Sequence, residues 1–106
     1  MRVKHETGGR EMRVAFEGEL DHHAAKKAIR ELGEIIDVKL PLKCELDLER
    51  LDFMDSSGIA VILSLYRRLY EIGGELVVLN VPTQALKVLL AAGVDKIVNL
   101  AKPVAV

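Results

Sequence analysis

Three times along this chain, a strand-like stretch gives way to apolar residues at helical spacing. That alternation restricts the fold more than any single motif does. Met12, Val14 and Phe16 share one face while Arg13 and Glu17 point the other way, the period-two pattern of a half-buried strand. Between Ala24 and Val38, Ala25, Ala28, Ile29, Leu32, Ile35 and Ile36 form one stripe, opposite Lys26, Lys27, Arg30, Glu31 and Glu34. That is an amphipathic helix laid on a sheet. Cys44-Glu45-Leu46-Asp47-Leu48 returns to period two, and a loop runs through Glu49-Arg50-Leu51-Asp52. Ile59, Ile62, Leu63, Tyr66, Leu69 and Tyr70 then recur at helical spacing up to Gly73-Gly74, a natural stop. The unbroken run Leu76-Val77-Val78-Leu79 predicts a strand covered on both faces, or nearly so. Thr83 to Ala92 predicts a third helix, with Ala85, Leu86, Val88, Leu89 and Leu90 as its buried side and Gly93 at its end.

Arg2 to Thr7 and Glu11 to Glu17 read as two strands joined through Gly8-Gly9, which suits a tight hairpin. Val94 to Leu100 adds a short last strand, and the tail from Ala101 to Val106 is read as loose. The order is therefore β-β-α-β-α-β-α-β. Strands separated by helices should pair in parallel through right-handed crossovers, with the opening hairpin antiparallel. The expected fold class is α/β, a small mixed β-sheet with helices mainly on one face.

With 106 residues, half of them apolar, residues 1–106 make one domain able to bury a core without metals or disulfides. A net charge of −1 with interspersed signs gives no electrostatic footprint for nucleic acid and no polybasic membrane patch. The start of the chain is charged and lacks the apolar segment of a signal peptide. No apolar run approaches the ~18 residues of a membrane span. These features predict a soluble, cytoplasmic protein. Cys44, at an inward strand position, reads as a small buried hydrophobe in a reducing compartment.

The chemistry concentrates in Phe53-Met54-Asp55-Ser56-Ser57-Gly58, ahead of the central helix. A helix start offers unpaired N–H groups and partial positive charge, so it tolerates an added anion. A nucleophile elbow would need small residues flanking a single Ser, and here Asp55 precedes a pair. No general base is placed beside the serines by the sequence, so the chain is read as a non-enzyme. Asp21-His22-His23 diverge around a helix and make a poor metal site, and Asp21 is well placed to cap that helix. Gly8-Gly9 and Gly73-Gly74 lack the Lys and spacing of a phosphate-binding loop. No metal or cofactor is expected. Two readings of Ser56 stay open on local sequence alone, a helix cap and a phosphoacceptor.

Three segments together, Gly18-Glu19-Leu20-Asp21-His22-His23, Phe53-Met54-Asp55-Ser56-Ser57-Gly58 and Ile72-Gly73-Gly74-Glu75, resemble the anti-sigma factor antagonists, the stand-alone STAS-domain proteins. The first two look most like the sporulation sigma-F branch, and the resemblance runs from about Val3 to Leu100 in the family's order. It implies the same small mixed sheet backed by helices. It also implies a partner switch, in which the unmodified antagonist binds an anti-sigma factor that is also a serine kinase and frees the sigma factor. Phosphorylation of the serine after the motif's Asp, here Ser56, would end binding, and a metal-dependent serine phosphatase would restore it. Asp21 and Asp55 match acidic positions near the binding surface, and Ser57 and Gly58 complete the motif. A rival within the same fold is a STAS scaffold or sensor module in a larger signalling complex. Two departures stand out: the chain stops soon after Pro103, where relatives often continue into a helix, and Pro82-Thr83 replaces a common Ser-Pro helix start.

Overall fold

The computed structural model describes residues 1–101. β1 (Arg2–Gly8) and β2 (Glu11–Leu20) form the antiparallel hairpin, with Arg2 opposite Glu17 and Gly8 opposite Glu11. β2 then takes two partners in succession along its length. Its first half pairs in parallel with β3 (Lys43–Asp47), and its last three residues pair in parallel with β4 (Leu51–Met54). The register breaks between Gly18 and Glu19, where Gly18 adopts φ 101° and donates its N–H to the Arg50 carbonyl at 3.1 Å. A residue with a Cβ is strained at that φ. β5 (Glu75–Leu79) lies parallel to β3, and β6 (Asn99–Leu100) parallel to β5, giving the order β1-β2-β3-β5-β6 with β4 against the end of β2. The helices α1 (His22–Lys39), α2 (Ser57–Glu71) and α3 (Thr83–Ala91) make the connections.

The mixed α/β architecture matches the sequence reading, with helices on one face. Met12, Val14, Phe16, Cys44, Leu46, Leu76 and Val78 point into that helical layer and are buried. Their alternates Arg13, Glu45 and Asp47 face the other way and keep contact with solvent. Among the described residues, none that is polar or charged is buried. Each fully enclosed Leu, Ile or Phe contributes about 1.5–3 kcal/mol, so this apolar layer dominates the stability.

Five details differ from the sequence reading. β4 occupies part of the expected loop. Its residues run buried, exposed, exposed, buried, which erases the period-two signal. Val94–Lys96 is a 3-10 turn, and only Asn99–Leu100 joins the sheet. β5 is covered on one face: Leu76 and Val78 are buried while Val77 and Leu79 are half-buried, because no helix lies over the second face. In α2 the buried set is Gly58, Val61, Ile62, Leu65 and Leu69, and Tyr70 is 69% exposed, its ring 5.9 Å from that of Tyr66. This helix packs against both α1 and β5, so its apolar arc is wide and admits two alternative stripes. In α3 only Ala85 and Leu89 are buried, and Leu90 faces outward. The reading of a loose tail concerns 102–106, outside the described residues.

Cys44 is fully enclosed, and burial pushes its thiol up to about 12, so it stays protonated and unreactive. No described helix is long and apolar enough to cross a membrane.

Candidate functional site

Parallel strands all end on one edge of a sheet, and the helices that follow all begin there. In this molecule β2 leads into α1 through Asp21, β4 into α2 through Asp55 and Ser56, and β5 into α3 through Asn80–Pro82. Three helix N-termini thus share one rim, each carrying about +0.5 of an elementary charge. In open α/β sheets the carboxyl edge is the usual place for a working site.

The rim is closely tied together. Leu20 pairs with Met54, and the Asp55 N–H donates to the Leu20 carbonyl at 3.2 Å, so Asp21 and Asp55 follow neighbouring strand ends. Asp21 caps α1 as expected: its Oδ1 accepts the Ala24 N–H at 2.9 Å. That bond, and then the charge of nearby His23, hold the Asp21 carboxyl below its ordinary value of 3.8. His22 and His23 are exposed on the first turn, with ring centroids 6.0 Å apart.

At α2 the cap is not made by a serine. The half-buried Asp55 reaches over its neighbour, and its Oδ1 accepts the Ser57 N–H at 2.7 Å, while its carbonyl accepts the Gly58 N–H at 3.1 Å. Ser56 occupies the N-cap position with helical backbone angles (φ −62°, ψ −17°), is exposed, and its side chain makes no capping bond. Its carbonyl accepts the Ile59 N–H at 3.2 Å, which fixes the backbone and leaves the hydroxyl turned out. Ser57 is half-buried within the first turn. Gly58 is buried, and a Cβ there would overlap the Met54 side chain. Its missing side chain lets α2 sit down on β4.

Sequence reasoning therefore brings Asp21, Asp55, Ser56 and Ser57 to one exposed rim, with Gly58 beneath it. It misses Gln84 on α3, whose Oε1 accepts the Met54 N–H at 2.9 Å and whose Nε2 donates to the Met54 carbonyl at 2.7 Å. A Gln in the first turn of a helix carries no local sign of pairing with a strand thirty positions earlier. It also misses Asn80, which donates to Asp47 Oδ1 at 3.1 Å, the same oxygen that accepts the Glu49 N–H at 2.9 Å. Asp47 thereby shapes the turn from β3 into β4.

This fold, with an Asp-Ser-Ser-Gly turn on the rim, defines a STAS domain: the STAS family model matches residues 2–105, and the chain belongs to that family. Within it, the chain stands with the anti-sigma factor antagonists. It is 36% identical over 87 residues to the anti-sigma F factor antagonist of Paenibacillus polymyxa, covering 82% of this chain and 74% of that one. The anti-sigma factor antagonist SpoIIAA in its unphosphorylated form superposes with a TM-score of 0.83 at 28% identity, covering 95% of this chain and 89% of the other. The Bacillus cell fate determinant SpoIIAA in the phosphorylated form gives 0.74 at 28% identity, covering 95% and 92%.

Proposed function

We propose that the unmodified protein docks through this rim onto an anti-sigma factor that is also a serine kinase, freeing the sigma factor, and that phosphorylation of Ser56 ends the docking. A metal-dependent serine phosphatase returns the hydroxyl and resets the protein. The observation that carries this reading is the Ser56 hydroxyl itself. It is exposed and makes no capping bond, at a helix start whose first turn is already closed by Asp55.

A phosphate there has about −1.5 to −2 charge and meets a helix dipole of the favourable sign while displacing none of the bonds that close the turn, so the domain keeps its fold. The effect falls on the interface instead. Asp21 and Asp55 already make the rim acidic, and a dianion added beside Asp55 increases like-charge repulsion across the docked interface and resists desolvation. On this reading Asp21, Asp55 and Ser57 contribute to the docking surface, and Gly58 supports it from below. Relatives named as anti-sigma factor antagonists, one of them solved both with and without its phosphate, support the same role.

The protein works by binding, with no turnover of its own, as a single cytoplasmic STAS domain regulating transcription, its sigma factor of the sporulation class. The test is incubation with the cognate kinase and ATP, followed by site mapping and capture of both forms on the immobilised anti-sigma factor. The label belongs on Ser56, and only the unlabelled form should be retained. Equal retention of the two forms removes the switch and leaves the scaffold role.

A further inference from the structure

In a strand, the N–H and C=O of one residue point to the same side. Those of Met54 point away from β2, because it is the next N–H, that of Asp55, that bonds Leu20. On that outer side β4 has no strand beside it. β5 stops at Leu79, and Asn80, at φ 54°, turns the chain away. Gln84 fills the place with two hydrogen bonds, at 2.9 Å from the Met54 N–H and 2.7 Å to the Met54 carbonyl. A primary amide carries the same donor and acceptor as a peptide unit, so this side chain stands in for one residue of a missing strand.

We infer that Gln84 is a positioning residue for the Ser56 turn: by clamping Met54, it holds the end of β4 so that the turn carrying Ser56 is presented in one geometry to the kinase. The clamped residue lies two positions before Ser56, its side chain is fully buried, and Gly58 of α2 rests directly upon it. Both the approach to the turn and the exit from it therefore bear on Met54. Without the clamp, the β4 end opens more often, and a docking partner meets a smaller competent fraction. This inference rests on Ser56 being the phosphoacceptor.

The test compares Gln84→Met, which keeps the side-chain length and lacks both polar groups, with Gln84→Glu, which keeps the acceptor but, when ionised, loses the donor. In Gln84→Met the Met54 amide should exchange with solvent about tenfold faster, while Leu46 in β3 is unchanged, as expected for losing two modest hydrogen bonds at one place. Under the kinase, KM for the protein substrate should rise about two- to fivefold in both variants with kcat unchanged, as expected when a tenfold shift in opening takes the open turn from a minority to half or more of the population. Wild-type KM in both variants, or unaltered exchange at Met54, overturns the inference. So does a uniform acceleration of exchange through the core, which would mark Gln84 as merely structural. If the wild-type protein is labelled elsewhere than Ser56, the reading of the site fails, while the exchange data still judge the clamp.

Discussion

Asp55 and Ser57 close the first turn of α2 between them, the carboxylate of one accepting the backbone N–H of the other at 2.7 Å. Ser56 lies inside that closed turn and holds the N-cap position without performing the cap. Ser is a common capping residue because its hydroxyl satisfies an otherwise orphaned N–H. Here Asp55 supplies that acceptor, which leaves the Ser56 hydroxyl without a capping bond. Modification of Ser56 therefore removes no bond that the fold uses.

From this separation, Ser56→Asp should melt within a few degrees of the wild-type protein. Its affinity for the anti-sigma factor should fall by roughly two orders of magnitude or more, since like charges brought together at an interface cost several kcal/mol. Calorimetric melting and titration of the same preparation check both halves. A large loss of thermal stability would show that the turn does depend on the hydroxyl.

The two serines should separate cleanly. Ser56→Ala is expected to bind the anti-sigma factor and resist phosphorylation, whereas Ser57→Ala remains a substrate. Mass spectrometry of the labelled peptide decides it, and phosphate found on Ser57 would reverse the assignment.

Gly58 faces a different constraint. Its missing side chain makes room for Met54, so Gly58→Ala overpacks the seam between β4 and α2 and should destabilise by about 1–3 kcal/mol. Met54→Val in the same molecule should recover part of the loss, because the atoms the new methyl meets belong to the Met54 side chain. Urea denaturation of the single and double variants gives the coupling directly.

How much of this was legible in the sequence depended on whether a residue's role was local. The Asp21 cap, the amphipathic α1 and the hairpin follow from neighbours within a few positions, and spacing alone reveals them. β4 was hidden because its short pairing with β2 is interrupted by a register shift after Gly18 and its burial pattern has no period. The buried stripe of α2 was misread because Tyr70 continues an apolar pattern on a flank that tertiary packing leaves outside, while Tyr66 is only half-buried there. Gln84 and Asn80 act across about thirty residues of chain, a relation no local pattern encodes.

Acid should test the α1 cap. The folded Asp21 carboxyl titrates below its ordinary 3.8, so the stability it adds is fully present above that value and is lost as pH falls through the lowered one. Asp21→Asn keeps a side-chain acceptor but cannot titrate, so its stability should fall less steeply below pH 3.8 than that of the wild-type protein. Parallel acid denaturation curves would show that the bond to Ala24 is not formed in solution.

β4 joins β2 over only three residues, with a register shift after the first of them, and so forms a short spur at the edge of the main sheet. On the proposed function, a phosphate carried just past that spur could be removed without any slow rebuilding of the interior, and the time the protein spends silenced would be set by how fast a phosphatase reaches Ser56.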